Sequence, residues 1–257
     1  MRVLVTFAVE TEFAPWRKLR RFRESTLGAK HWSGGVQVES TEIGEHTVHV
    51  FLTGIGIKSF DFAVAKCFKE AGVEVVISSG LAGSLKESYP ALTIVSPSRV
   101  GGLTDATVTA VTRAVYQLAV KSNATAIDTL LTSSHIIGSH EEKTRLSKFA
   151  DAVDMESSHI VGSFLEEQIP IGVIRAISDG SDEDLPIDFE KCLSPSGKVK
   201  SFSLFKELAL KPGKIPQLLR FGRQSRAAAD KLVGFLDNLI QGLKPDFLLS
   251  EIEEKVV

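Results

Sequence analysis

The sequence predicts an α/β fold, a three-layer sandwich around a central mixed sheet. Three observations carry this expectation. Short apolar runs alternate along the chain with stretches whose apolar residues recur at helical spacing. The runs Val73–Ser78 and Ile171–Ile177 are mainly apolar without strict alternation, as parallel strands covered on both faces require. Residues 36–40 and 46–52 alternate instead, with Val48, Val50 and Leu52 on one face, as an antiparallel pair does.

Taken in order, residues 2–9 predict a strand and residues 12–23 a basic helical stretch, Arg17-Lys-Leu-Arg-Arg-Phe-Arg23. After the antiparallel pair, residues 57–71 place Phe60, Ala63, Val64, Cys67 and Phe68 on one helical face, with Gly72 as the stop. The strand Val73–Ser78 follows, and Gly80 and Gly83 suit a tight turn after it. Leu92–Val95 predicts a strand, 106–120 a helix and 126–133 a strand. Glu141–Phe149 predicts a helix and Ala152–Asp154 a short strand. Ser157–Gln168 predicts a helix that Pro170 ends, since proline lacks an N–H and clashes with the preceding turn. Ile171–Ile177 is the last core strand. Ile215–Ile240 is an amphipathic helix through Leu218, Leu219, Leu232, Val233, Phe235, Leu236, Leu239 and Ile240. The expected organisation is one domain, 1–242, and an acidic tail, 243–257, that frays.

The composition narrows the function. With 257 residues, 43% of them hydrophobic, the chain can bury a substantial core. A formal net charge of −2 gives no drive toward nucleic acid, so none is expected as a partner. No apolar run reaches the length of a membrane span, and Met1-Arg2 runs straight into a strand without a signal-peptide layout, so a cytoplasmic protein is expected. Cys67 and Cys192 lie far apart in no metal spacing, and Cys67 suits a buried small hydrophobe. The six histidines show no paired spacing, so no metal is expected. His140-Glu-Glu opens a solvated helix.

Two carboxylates stand where a pocket is expected. Glu156 follows the short strand in Ala152-Val-Asp-Met-Glu-Ser-Ser, and Asp179 ends Ile171-Gly-Val-Ile-Arg-Ala-Ile-Ser-Asp. Ligands of open α/β sheets sit at such strand ends. A third candidate, Glu12, ends Val3-Leu-Val-Thr-Phe-Ala-Val-Glu-Thr-Glu. Each has an ordinary reading: Glu12 as an exposed loop acid, Glu156 as a first-turn acid that suits the helix dipole, Asp179 as a turn or capping residue. Arg175, four residues before Asp179, points to the same sheet face if the strand is regular. Thr53-Gly-Ile-Gly56 lacks the third glycine of a dinucleotide fingerprint.

These pieces, with Val75-Val-Ile-Ser-Ser-Gly-Leu-Ala-Gly83, resemble in order and spacing the nucleoside phosphorylase/nucleosidase superfamily, from about residue 1 to 180. The nearest likeness is to methylthioadenosine/S-adenosylhomocysteine nucleosidases. The resemblance implies a cofactor-free enzyme that cleaves the N-glycosidic bond of a purine nucleoside or 5′-substituted adenosine. It implies Asp179 as the acid that protonates the leaving base, beside Ser178. It implies Glu156 as the clamp on the ribose hydroxyls, Met155 beneath the sugar, and Glu12 as the base that activates water. Arg175 is implied as the group that orients the acids. Ile55 falls near the 5′ side, Gly80 and Gly83 where backbone approaches the ligand, and Ile136 where an aromatic usually stacks on adenine. To hold a proton Asp179 needs burial or neighbouring acids, and Asp182, Glu183 and Asp184 are candidates.

Departures from the pattern matter too. The Gly-Asp-Pro and arginine that phosphorylases carry near residue 12 are missing. Hydrolysis is therefore favoured over phosphorolysis, in which phosphate is co-substrate and Arg17, Arg20 or Arg21 would have to reach it. Leu81 replaces a frequent serine. The segment between Gly83 and Ile136 is short, which implies an open pocket. The region from Phe205 resembles the extra segment of hopanoid-associated phosphorylases, which implies an adenosyl-hopanoid substrate as a variant. Residues 200–231 hold eight Lys/Arg against two acids, whereas 179–190 hold six acids. The flank 205–240 is then either a helix packed on the sheet with a solvated basic face, which we favour, or a peripheral membrane contact. A homo-oligomer, a dimer first, is implied by the family. A silent nucleoside- or lipid-binding protein is the alternative of another class.

Overall fold

The structure, a computed structural model, describes residues 1–25, 27, 38–56, 62–103, 107–189 and 212–244. Its strands are β1 (Arg2–Phe7), β2 (Arg23–Glu24), β3 (Val38–Ile43), β4 (His46–Leu52), β5 (Val75–Ser84), β6 (Ile94–Gly102), β7 (Val108–Ala110), β8 (Thr125–Thr132), β9 (Ala152–Asp154) and β10 (Ile171–Asp179). The helices are α1 (Glu10–Leu19), α2 (Phe62–Glu70), α3 (Arg113–Lys121), α4 (His140–Leu146), α5 (Ser157–Glu166) and α6 (Ile215–Gln241).

The sheet is mixed, as expected. β1 runs parallel to β4 and β5, and β5 parallel to β10. β3 pairs antiparallel with β4, and β6 antiparallel with β10. Because β10 pairs with both β5 and β6, the chain of pairings β5–β10–β6–β8–β9–β5 closes on itself. Closure at that end removes two strand edges and gathers several strand termini around one opening.

Side chains alternate between two cores, as strand geometry dictates. Val3, Val5 and Phe7 of β1, Val75 and Ile77 of β5, and Ile174 and Ala176 of β10 pack with Trp16 of α1 and Leu232, Leu236 and Ile240 of α6. Leu4, Val76, Val173 and Ile177 face the other way, onto Val64 and Phe68 of α2 and Ile160 and Phe164 of α5. The C-terminal half of α6 is therefore a packed helix. Its Asp237 accepts hydrogen bonds from Trp16 Nε1 (3.2 Å) and from Arg20 Nε (2.8 Å) and Nη2 (2.7 Å), which fixes α6 to α1.

Several expected elements differ. Gly80 and Gly83 lie inside β5, because the strand continues through them to pair with β10 and β9. Residues 106–120 do not form one helix: β7 pairs with β6 first, and α3 begins at Arg113. β6 runs well past Val95, to Gly102. The basic stretch becomes helical at Glu10 and ends at Leu19. Cys67 is half-buried rather than buried. Residues 57–61, the segment from Phe205 to 211 and the tail from 245 lie outside the described residues.

Candidate active site

Glu12 owes its place to the start of α1. Val9 is the N-cap and has no side-chain acceptor, so Glu12, at the third helical position, folds back in its stead. Its Oε2 accepts from the N–H of Ala8 (2.9 Å) and Val9 (3.3 Å), and its Oε1 from the N–H of Leu81 (2.9 Å). It is buried, 6% exposed, which overturns the exposed-loop reading. Burial pushes its pKa up; the hydrogen bond from Leu81, the Arg175 charge and the Val9 and Ala8 bonds pull it back in part.

Gly80 faces this carboxylate. A Cβ there would lie 3.1 Å from Glu12 Oε1, and the backbone φ of +148° is one that side chains rarely adopt. Gly83 does the same for Asp179, whose Oδ2 would stand 3.1 Å from an added Cβ. Two glycines three residues apart on β5 thus make room for two acids.

Glu156 occupies the N-cap position of α5 but does not cap it. That task falls to Asp154, whose Oδ1 and Oδ2 accept from Ser157 N (3.3 and 3.2 Å). Glu156 is left to reach across and accept from the N–H of Gly56 at 2.9 Å, in the turn after β4. Burial and the neighbouring Asp154 charge push its pKa up to about 8; the Gly56 bond and Arg175 oppose this, and Glu12 adds to it.

Arg175 is 1% exposed, and the acid its side chain bonds is Asp154. Its Nε donates to Asp154 Oδ2 (3.0 Å), and its Nη2 donates to Ser78 Oγ (3.1 Å) and Ser157 Oγ (2.9 Å). The register of β10 shifts between Ile177 and Asp179, so the regular-strand argument does not carry to Asp179. Asp179 has other partners. Ser178 Oγ lies 2.5 Å from its Oδ1, and the ammonium of Lys143 donates to its Oδ2 at 2.6 Å.

Asp182, Glu183 and Asp184 are not what meets the Asp179 carboxylate. The Glu183 carboxylate turns to Arg220 Nη2 (2.8 Å) and Gln224 Nε2 (2.9 Å) on α6, and Asp184 accepts from the N–H of His140 (2.6 Å). Asp182 stands beside Gly180, whose added Cβ would lie 2.8 Å from its Oδ1.

One cavity of about 920 Å³ collects these groups. Glu12, Glu156 and Asp179 line it, with Met155, Ile55, Ile136, Ser178 and Gly83. Arg175 stands behind Asp154, and Gly80 behind Glu12. Leu81, Leu185, Phe189 and Phe221 give the wall an apolar side. Of the arginines considered for a phosphate, Arg17 is paired with Glu10 and Glu39 and Arg20 with Asp237, while Arg21 is exposed and is not in the cavity lining. Among the described residues no group of three or more His, Cys, Asp or Glu could hold a metal ion.

The sequence matches the Phosphorylase superfamily over residues 2–209. The chain belongs to that superfamily. Solved structures of similar fold include a 5′-methylthioadenosine/S-adenosylhomocysteine nucleosidase from Helicobacter pylori, at 20% identity and a TM-score of 0.69, with 95% of this chain and 99% of that one covered. A futalosine hydrolase mutant from the same organism matches at 18% identity and a TM-score of 0.68, covering 95% and 100%. The methylthioadenosine/S-adenosylhomocysteine nucleosidase of Neisseria meningitidis matches at 18% and 0.67, covering 94% and 99%. The superfamily fold is therefore shared over almost the whole length of each.

Sequence reasoning missed Asp154 and Lys143. Asp154 sits in the same short motif as Glu156, where a buried acid next to a helix start was a usable signal. Lys143 shares a helical face with Leu146, a periodic slot for a buried residue that its charge disguised.

Proposed function

We propose that this protein hydrolyses the N-glycosidic bond of a purine nucleoside or 5′-substituted adenosine and releases the base. The observation that carries the reading is the convergence of Glu12, Glu156 and Asp179 on one cavity. Asp179 protonates the departing base. Glu156 holds the ribose hydroxyls and, in its ionised form, steadies the cationic sugar. Glu12, with both oxygens fixed by backbone N–H groups, takes the proton of the attacking water. Two carboxyl groups dividing acid and base work in this way is the general logic of glycoside cleavage. Water is preferred to phosphate because Glu12, the proposed base, would when ionised repel a phosphate dianion beside it, and because Arg17 and Arg20 are engaged elsewhere and Arg21 is not in the cavity lining.

Phe189 and Phe221, whose ring centroids are 5.4 Å apart, border the same cavity. This aromatic pair adds to the apolar wall of the cavity, which suits a substrate with an apolar 5′ substituent, and an adenosyl-hopanoid is the largest member of that class. A homo-oligomer of single-domain subunits, working in the cytoplasm without a cofactor, completes the reading.

The test is base release from adenosine, inosine, methylthioadenosine and a 5′-alkylated adenosine, with and without phosphate. Free ribose without phosphate supports hydrolysis. A sugar 1-phosphate formed only with phosphate moves the assignment to a phosphorylase acting as a glycosyltransferase. Asp179→Asn should lose turnover and keep ligand binding. Binding without turnover in the wild type points to a silent nucleoside- or lipid-binding protein.

A further inference from the structure

Lys143 is a lysine with no solvent exposure at all. Burying an ammonium is costly unless it is paired and fully hydrogen-bonded. Here Nζ has three acceptors for its three protons: Asp179 Oδ2 at 2.6 Å, the Gly180 carbonyl at 2.7 Å and the Glu183 carbonyl at 2.9 Å. Its ion pair is with Asp179, the candidate acid. A carboxylate held against an ammonium is a poor proton donor by itself. An acid in this seat has to receive its proton from somewhere; two donors touch it, the Ser178 hydroxyl and the Lys143 ammonium, and of the two the ammonium is by far the stronger acid.

Resting on the nucleosidase reading above, we propose that Lys143 is the positioning residue that supplies, through Asp179, the proton taken by the departing base. An Nζ–H bond breaks and an O–H bond forms on Asp179. That proton then passes to a ring nitrogen of the base as the C1′–N bond breaks, and the bonding pair leaves with the base. Asp179 is again a carboxylate and Lys143 a neutral amine; after the product leaves, Glu12 gives up the proton it took from the attacking water, and a proton passed through pocket water and Asp179 restores the ammonium, so the turnover balances.

The hydrogen-bond inventory fits both proton positions. With the proton on nitrogen, Ser178 donates to Asp179 Oδ1. With the proton on Asp179, the neutral amine keeps two N–H donors for the two carbonyls and offers its lone pair to the carboxyl O–H. Ser178 Oγ also lies 3.2 Å from the Ala82 carbonyl, so its own proton has a second acceptor. No buried donor or acceptor is stranded in either state.

The experiment compares wild type and Lys143→Met on two substrates: the best nucleoside of the panel and 4-nitrophenyl β-riboside, whose leaving group departs as an anion. A merely structural lysine affects both alike. The expected result is a loss of about 10²–10⁴-fold in kcat on the nucleoside, the range of a lost general acid, and a change of less than about fivefold on the nitrophenyl riboside. Equal losses on both substrates overturn the proposal. If Lys143→Met lacks the native circular dichroism spectrum, Lys143→Gln carries the same comparison, since its amide keeps two donors for the two carbonyls. Wild type inactive on every nucleoside and on the riboside sinks the nucleosidase reading itself. A wild type active on both, with equal losses in the variant, sinks only the role of Lys143.

Discussion

Arg175 and Asp154 form a buried ion pair, Nε to Oδ2 at 3.0 Å, with each side chain 1% exposed. Asp154 also accepts from Thr132 Oγ1 at 2.9 Å and from Ser157 Oγ at 2.5 Å. One carboxylate therefore ties β8, β10 and the start of α5 together beneath the site. Asp154→Ala leaves a guanidinium buried without its counter-charge. The expected cost is about 3–5 kcal/mol of folding stability, read from the urea midpoint. Arg175→Ala should cost a similar amount by stranding Asp154.

The same arrangement sets a pH dependence. Burial and the Asp154 charge hold Glu156 at about 8, above its ordinary 4.5. Between those values the folded protein keeps a proton that the unfolded chain has released. The stability owed to Glu156 is therefore full below about 4.5 and is lost as pH rises toward about 8. Glu12, also pushed up by burial, acts in the same direction. Glu156→Gln, whose amide oxygen still accepts from Gly56, should flatten the fall. Denaturation midpoints of the two proteins from pH 4 to 9 test this, and parallel curves count against it.

The strand-and-helix alternation was legible because it rests on local pattern: β1, β5 and β10 are apolar runs, and α6 shows its face in Leu232, Leu236 and Ile240. The three acids were legible because each ends or follows such a run. Pairing partners were not. That β5 runs through Gly80 and Gly83 depends on β10 and β9 lying beside it, a non-local fact. That Asp179 meets Lys143 depends on α4 crossing to the end of β10, the two residues standing 36 positions apart in sequence. The acidic cluster after Asp179 misled because composition says nothing of direction, and Glu183 faces α6.

Gly83 gives a sharp test of close approach. An added methyl would stand 3.1 Å from Asp179 Oδ2 and 3.5 Å from Val153 Cγ1. The second distance is ordinary contact, so the first decides. Gly83→Ala should displace the carboxylate by a few tenths of an ångström and cost up to about 10²-fold in kcat. KM should change little, since Glu156, the proposed ribose clamp, is untouched. A variant with wild-type kcat refutes the positioning of Asp179.

Glu12→Gln probes the water-activating role, and the substitution is less conservative than its shape suggests. Both carboxylate oxygens accept from backbone N–H groups, those of Ala8 and Val9 on one side and Leu81 on the other. A glutamine must turn its NH₂ toward one of these donors, leaving a buried N–H without a partner. That costs about 1–3 kcal/mol of stability. If Glu12 is the general base proposed above, hydrolysis should fall by about 10²–10⁴-fold. Glu12→Asp separates the two effects, because it keeps the charge but shortens the reach to the backbone donors. It should lose stability and retain more activity than Glu12→Gln when both are assayed below their unfolding temperatures. If Glu12→Gln hydrolyses nucleosides at the wild-type rate, Glu12 serves only as the cap of α1.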